Sequence, residues 1–348
     1  MTHLPGAVET NSGDLFMRLA WLWAGMVLAG GLEAQVQAPA LAPDDRVRLA
    51  EAFRLMDRVG IPVAPGERDA PEAVLLVAGD HEFLLRHPSP TSDFTPLGTD
   101  SLLGTTVWAR PRSFPPGLLA TFPAVSGVPT IVVGTPGATG KTATTWVLTL
   151  LHEHLHQWQY SRAGYYPALA ALNLSRGDST GMWVLEYPFP YDSAPIGRAV
   201  KALAGTLAST LGEPAARRAT WLPAVRVQRD SLLALLGADD RRYLEFQLWQ
   251  EGVARWSEYA AARAASRSGE PSAPFRALPD YVPYPAQVTR GEEALRRELR
   301  DLDLARDRRV VVYPLGAALA LLLDAGGPAW RERYAAERFT LTNLLGVD

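Results

Sequence analysis

Three of the six histidines in the chain lie within residues 152–156, whose sequence is H-E-H-L-H. No proline or glycine lies between Thr142 and Tyr160, and apolar residues recur there at helical spacing, which predicts one continuous helix. On that helix His152 and His156 stand one turn apart on the same face, so both imidazoles can reach one metal ion. A helix this apolar is expected to be buried, and buried polar side chains need partners, which a metal ion can supply. The fold must therefore bury this helix and bring further ligands to its histidine face.

Glu153 completes the pattern H-E-x-x-H, in which a carboxylate takes a proton from a water molecule that the metal activates. It lies about 100° around the helix from His152, where it can approach that water. His154 faces about 200° away from His152, so we expect it on the surface or hydrogen-bonded to another residue of the site. The alternative for the whole motif is a helix with three surface histidines.

Residues 149–158, T-L-L-H-E-H-L-H-Q-W, resemble the active-site helix of the zincin metallopeptidases. In that family the helix follows a small mixed sheet, one strand of the sheet binds the peptide substrate, and a helical second half closes the cleft. The resemblance implies an α+β, zincin-like fold, in which a small N-terminal mixed sheet and the active-site helix precede a mostly helical C-terminal subdomain. It also implies one Zn²⁺ per chain, a peptide or protein substrate, and hydrolysis with Glu153 as general base.

A third ligand is expected, because a catalytic zinc usually has three protein ligands and a water. No histidine follows His156, and Gln159 and Arg162 occupy the positions where the metzincin extension has glycine and histidine. We therefore predict a downstream carboxylate, Glu251, which shares a predicted helix face with apolar residues. The segment E-G-x-A that begins at Glu251 resembles the one that carries the third zinc ligand in many gluzincins, the zincin branch with a glutamate ligand. Gly252 in that segment would permit close approach of another helix.

Other residues near Glu251 leave alternatives open. Glu258 faces the same side of the helix, so it is either the ligand itself or an acceptor that orients a ligating histidine. An ion pair on the helix surface, such as Glu251 with Arg255, would give the acid a purely structural role. A group that polarises the substrate carbonyl is also expected. The candidates for it are Arg255, Tyr259, Tyr281, Tyr284 and Tyr313.

Composition excludes several classes of function, and the N-terminal sequence indicates a cellular location. The 34 basic and 37 acidic side chains give a net charge of −3 and no basic field that would favour nucleic acid. The absence of cysteine excludes disulfides, Cys-ligated zinc and a thiol nucleophile. Residues 17–38 have the pattern of a secretory signal peptide. We expect residues 1–34 to be an N-terminal extension and signal peptide with the start at Met17. The mature protein is then secreted or periplasmic, without a stable membrane span.

The order of predicted elements runs from strands to helices. Four β-prone runs precede the motif, at 73–78, 105–109, 118–122 and 130–133. Helical patterns cover 44–60, 141–160, 194–211, 222–236, 240–265, 289–302, 315–323 and 329–337. This order predicts an N-terminal α/β subdomain at 35–165, ending in the motif helix, and a helical C-terminal subdomain at 166–348.

Two other functions stay open. One is a metal- or peptide-binding protein on a zincin scaffold with weak or no hydrolysis. The other is a P-loop-like NTPase, because residues 135–142, T-P-G-A-T-G-K-T, follow a predicted strand and open a helix as a phosphate loop does. In that interpretation Gly140, Lys141 and Thr142 bind the phosphates. The first position is threonine rather than glycine, which counts against it.

Overall fold

Six strands in the first half of the chain form one sheet in the computed structural model, which describes residues 39–64, 70–178 and 180–346. The strands are β1 (Val74–Ala78), β2 (His81–Leu85), β3 (Thr95–Asp100), β4 (Thr105–Pro111), β5 (Leu119–Val125) and β6 (Val128–Gly134). They lie in the order β3-β4-β2-β1-β6-β5, so β5 is at one edge. β1 pairs in parallel with β6 and the other pairs are antiparallel, which makes the sheet mixed.

The sequence pattern predicts β1, β4, β5 and β6 and misses the other two strands. β2 follows β1 directly through a two-residue turn in which Gly79 has a φ of 59°. β3 is an edge strand that is exposed along nearly its whole length and contains Pro96 and Gly98. A strand without a buried face has no apolar alternation, so its sequence reads as a loop.

Helices make up most of the other described residues. The longer ones are α1 (Pro43–Val59), α3 (Ala143–Ser161), α6 (Ala194–Gly212), α8 (Leu222–Ala234), α9 (Ala238–Gln247), α10 (Val253–Ala265), α12 (Tyr284–Asp301) and α14 (Val312–Ala325). The shorter ones are α2 (Pro136–Thr139), α4 (Tyr165–Ala171), α5 (Trp183–Glu186), α7 (Ala215–Arg218), α11 (Ala273–Arg276), α13 (Leu304–Asp307) and α15 (Trp330–Ala336). The predicted helix at 240–265 is helical throughout, but a π turn at Leu248–Gly252, which the pattern does not predict, divides it into α9 and α10.

The sheet has apolar side chains on both faces because its strands alternate. Val74 and Leu76 of β1 point to the face covered by α1 and α3, whereas Leu75 and Val77 point to a smaller cluster on the opposite face. On the larger side the indole of Trp146 in α3 donates a hydrogen bond to the Gly134 carbonyl at 2.8 Å. This contact ties the start of the motif helix to the end of β6.

A second apolar cluster lies among the helices of the C-terminal half, and two helices belong to both clusters. In α3, Leu150 packs in the sheet cluster and Leu155 in the helical cluster. In α10, Trp256 packs in the helical cluster and Ala261 in the sheet cluster. Because α3 and α10 also pack against each other, the histidine face of α3 lies where the two clusters meet.

The fold class is therefore α+β, with a mixed sheet in the first half and helices in the second. From Pro39 onward the chain packs as one compact unit, and the boundary near residue 165 stays a prediction. The predicted signal peptide and its start at Met17 lie outside the described residues. Among those residues, no helix combines the length and the apolar character needed to cross a membrane.

Candidate metal centre

Three buried side chains converge at the junction of the two clusters. His152 and His156 come from α3, and Glu251 comes from the π turn. Glu251 Oε2 lies 3.4 Å from His156 Nε2 and 3.9 Å from His152 Nε2. One ligand atom from each residue lies within 4.8 Å of the other two, so the group can hold a metal ion.

The hydrogen bonds of the two histidines leave the right nitrogens for a metal. His152 Nδ1 is 2.9 Å from Glu258 Oε1, and His156 Nδ1 is 2.7 Å from Gln159 Oε1. Each acceptor takes the Nδ1 hydrogen of its histidine, so Nε2, on the side of Glu251, is the nitrogen left for a metal ion. The donor set of two imidazole nitrogens and one carboxylate oxygen thus fits a metal ion, and its rings are already oriented.

The side chain that orients His156 is itself fixed by the helical half. Gln159 Nε2 donates to the Tyr334 hydroxyl at 2.8 Å and to the Gln250 carbonyl at 3.2 Å. With its nitrogen committed to these acceptors, its amide oxygen must face the imidazole. The π turn that carries Glu251 and the helix that carries His156 are therefore joined by hydrogen bonds behind the site.

The π turn positions Glu251 at a close helix crossing. A Cβ atom built on Gly252 would lie 2.5 Å from the Gly316 Cα of α14, and one built on Gly316 would lie 2.4 Å from the Gly252 Cα. Neither helix can carry a side chain at this point, so the prediction that Gly252 permits close approach of another helix is confirmed. π turns occur frequently at functional sites, because the extra residue redirects the side chains around it.

The charges of the centre are strongly coupled. Burial acts to lower the pKa of His156, but the attraction and hydrogen bond of Glu251, with smaller contributions from Glu153 and Gln159, together outweigh it and raise that pKa to about 9. Burial acts to raise the pKa of Glu251, but the attraction and hydrogen bond of His156, with smaller contributions from His152 and Arg309, together outweigh it and lower that pKa to about 2. In the absence of a metal ion, the pair therefore holds a proton that a cation would displace.

Glu258 lies beside the centre and not among the three converging ligand atoms. It accepts the hydrogen bond of His152 and has Arg255 on its other side, with 4.0 Å between Glu258 Oε2 and Arg255 Nε. Arg255 also contacts Glu298 at 3.3 Å and donates to the Tyr259 hydroxyl at 3.3 Å. Arg255 and Tyr259 thus support Glu258 from the side away from Glu251.

Arg309, and not Arg255, is the arginine that faces Glu251. Its NH1 lies 3.6 Å from Glu251 Oε1, the carboxylate oxygen that faces away from the two histidines. Its NH2 donates to the Tyr313 hydroxyl at 3.3 Å, and the Tyr313 ring stacks on His152 with 6.2 Å between centroids. The ion pair of Glu251 with Arg255 is therefore wrong as an expectation. No sequence pattern singles out Arg309, because it meets Glu251 only through the crossing of α14 with the π turn.

Glu153 and His154 lie on the part of α3 that faces the sheet. Glu153 is buried, and its Oε2 accepts a hydrogen bond from the Thr121 hydroxyl of β5 at 2.8 Å. His154 is also buried, with Nδ1 2.9 Å from Gln157 Oε1, so the expectation of a surface histidine is wrong. Burial lowers the pKa of His154. It is a packed residue behind the motif, because the sheet covers that face of α3.

Two of the candidate tyrosines lie elsewhere. The Tyr284 hydroxyl donates to Glu51 Oε1 at 2.8 Å, and the Tyr281 ring packs against Phe275. Tyr313, in contrast, lines a cleft of about 680 Å³ between α12, α13 and the start of α14. Arg255, Leu302, Val310 and Pro314 also line this cleft. The lining of this Tyr313 cleft does not include His152, His156 or Glu251, so the cleft adjoins the centre through Tyr313 and not through the ligands themselves.

The segment that resembles a phosphate loop is a turn that starts α3. Residues 136–139 form α2, in which the Thr139 amide donates to the Thr135 carbonyl at 3.0 Å. The Lys141 amide donates to the Pro136 carbonyl at 3.0 Å, and Thr142 caps α3. A phosphate loop needs free backbone amides, and these two are already bonded within the turn.

Comparison of the chain with protein-family models, curated protein sequences and solved structures gives no match. A functional interpretation therefore starts from the geometry of the centre itself. Its defining features are the three converging ligand atoms, the two oriented imidazoles and the acid next to them in the sequence.

Proposed function

We propose that the protein is a zinc-dependent peptidase with a zincin-like fold of the gluzincin type. The observation that carries the proposal is the convergence of His152 Nε2, His156 Nε2 and Glu251 Oε2. Three protein ligands from this set of residue types, with the remaining position for water, are typical of a catalytic zinc site. The hydrogen bonds to both Nδ1 atoms support it, because ligating histidines usually have such partners.

Glu153 is the general base in this proposal. A bound zinc ion would supply a lowered pKa for the attacking water and polarisation of the substrate carbonyl. Glu153 takes the proton of that water and delivers it to the leaving amine. Its place next to His152 on α3, with a side chain buried against β5, supports this role.

Among the candidates for polarising the substrate carbonyl, Tyr313 is the best placed to donate a hydrogen bond to its oxygen. It covers the ring of His152 and lines the Tyr313 cleft. Arg309 donates to its hydroxyl oxygen, and the Glu251 carboxylate beside it is the acceptor that a substrate carbonyl oxygen would have to replace. A donor aimed at the developing negative charge is commonly worth a factor of about 10²–10³ in kcat. Arg255, Tyr259 and Glu258 act behind His152 instead.

The substrate of the proposal is a peptide or a protein. β5 is an edge strand beside Glu153, and an edge strand can pair with an extended peptide through backbone hydrogen bonds. In this proposal the Tyr313 cleft, which adjoins the centre through Tyr313, accepts a substrate side chain. With the predicted signal peptide removed, hydrolysis would take place outside the cytoplasm.

The first experiment is a zinc count. The chain without its predicted signal peptide and without a histidine tag is purified without chelator, and zinc is measured by inductively coupled plasma mass spectrometry. We expect about one zinc per wild-type chain and a clear loss in Glu251→Ala. A protein that takes up no zinc even when zinc is supplied would overturn the proposal.

The second experiment separates a peptidase from a binding protein on the same scaffold. Glu153→Gln keeps the size of the side chain and removes the base, so it should retain zinc and lose hydrolysis of a peptide library. Zinc-loaded wild-type protein that binds peptides without cleaving them would favour the binding protein. Nucleotide binding that Lys141→Ala abolishes and His152→Ala leaves intact would favour the P-loop alternative.

A further inference from the structure

The Thr121 hydroxyl lies against the proposed general base. Thr121 Oγ1 is 2.8 Å from Glu153 Oε2 and 3.0 Å from the Glu153 backbone carbonyl oxygen. Both residues are buried, with 7% of Thr121 and 4% of Glu153 exposed. The hydroxyl carries one proton and can donate it to one oxygen at a time. A carboxylate that bears charge is the stronger acceptor, so the proton belongs to Oε2.

The position of this hydroxyl is set by the sheet and not by the motif helix. Thr121 pairs with Ile131 of β6, which fixes its backbone within the ladder. Threonine is branched at Cβ, so few side-chain rotamers are open to it in a strand. The hydroxyl is therefore a rigid donor that reaches Glu153 from outside α3.

We propose that Thr121 is a positioning residue for Glu153, an inference that rests on the proposed function. By holding Oε2, it leaves Oε1 free to take the proton of the attacking water. Since Thr121 is part of the edge strand, the same residue links the strand that would bind the substrate to the base that acts on it. The sequence pattern H-E-x-x-H does not contain this residue.

The test compares three variants of the zinc-loaded protein. Thr121→Val keeps the shape and removes the hydroxyl, and Thr121→Ser keeps the hydroxyl. Thr130→Val is the control, because Thr130 is a fully buried threonine of the neighbouring strand whose hydroxyl donates to the Val128 carbonyl. Zinc per chain, kcat and KM are measured for each protein.

We expect Thr121→Val to retain zinc and to lose a factor on the order of 10² in kcat, with little change in KM, because a misplaced catalytic group can cost that much. Thr121→Ser should recover most of the loss, and Thr130→Val should keep the wild-type kcat. A Thr121→Val protein with wild-type kcat would overturn the proposal. So would equal losses in the valine and serine variants, because packing would then explain the effect.

A crystal structure of zinc-loaded Thr121→Val beside the wild type decides the question without an activity assay. We expect the Glu153 carboxylate to leave its wild-type position in the valine variant. An unmoved carboxylate would overturn the inference. If the wild type cleaves no peptide, the proposed function fails on its own, while the carboxylate position still tests Thr121.

Discussion

The candidate metal centre has two sides, the histidines of α3 and Glu251, and these are positioned in different ways. α3 contributes His152 and His156 through regular helical spacing, so their relation is set within five residues of sequence. Glu251 comes from a π turn, and its position depends on the crossing of that turn with α14 at Gly252 and Gly316. The first side is local and the second depends on tertiary packing. Substitutions should therefore affect the two sides in different ways.

Removal of one ligand from either side should have the largest effect. Loss of a side chain that only hydrogen-bonds to a metal ligand typically weakens metal binding roughly 10–100-fold. We expect loss of a ligand itself, in His156→Ala or Glu251→Ala, to weaken zinc binding by well more than this. Competition with a chromogenic chelator measures the affinity. His81→Ala, on β2, is the matched control and should keep wild-type affinity. If Glu251→Ala keeps its zinc while His156→Ala loses it, the tertiary side of the centre is not part of the metal site.

Removal of the carboxylate that orients His152 should have the next largest effect. Glu258→Ala leaves the Nδ1 proton of His152 without its acceptor, so we expect about 10–100-fold weaker zinc binding. The same chelator competition measures it. Glu298→Ala removes a neighbour of Arg255 that does not touch a histidine and serves as control. Equal affinities for the Glu258 and Glu298 variants would contradict this role of Glu258.

A methyl group at the helix crossing should displace Glu251 and leave the two histidines of α3 in place. In Gly316→Ala the new Cβ meets the Gly252 backbone, and overpacking of this kind costs about 1–3 kcal/mol of unfolding free energy. We expect weaker zinc binding as well, because Glu251 moves with the π turn. Gly205→Ala is the control, since its Cβ would meet nothing within 4 Å, and it should be neutral or stabilising. Urea unfolding measures the stability of each variant. If both variants are less stable than the wild type, or both are more stable, the result would argue against a tight crossing.

The last effect concerns the pH dependence of the metal-free protein. The pKa of His156 is about 9 in the folded chain, against an ordinary value of 6.5. The folded state therefore binds more protons than the unfolded state between these values, and the stability from this group is lost as pH rises from 6.5 through 9. Urea unfolding of chelator-treated protein at several pH values measures the trend. We expect Glu251→Gln, which removes the attraction, to flatten it. An unchanged slope in that variant would show that other groups cause it.

Local sequence patterns were sufficient for the first side of the centre. The motif helix could be predicted because an uninterrupted apolar stretch of this length favours a single conformation. His154 could not be placed, because the helical angle tells which way it points but not that the sheet covers that direction. Glu251 could be proposed from its apolar helix face and from the resemblance of its segment to that of gluzincins, but neither places it beside His152 and His156 in space.

Other features of the structure depend on tertiary packing, which local sequence patterns do not reveal. The π turn inserts one residue into a stretch whose periodicity predicts an unbroken helix. Arg309 reaches Glu251 only because α14 crosses the π turn at two glycines. β3 has no buried face and therefore no apolar pattern, whereas the glycine-aspartate turn before β2 is a hairpin signal that could have been used.

α3 and α10 each belong to both apolar clusters, and this has a consequence for cooperativity. Neither cluster can open without exposing part of a helix that the other one needs. Partial opening therefore costs nearly as much as complete unfolding, and the two clusters should behave as one cooperative unit. Two of the ligands lie on α3, which both clusters share, and the third lies on the turn that joins α9 to the other shared helix, α10. A bound ion would then be released at the slow rate of global opening instead of through the fraying of a loop.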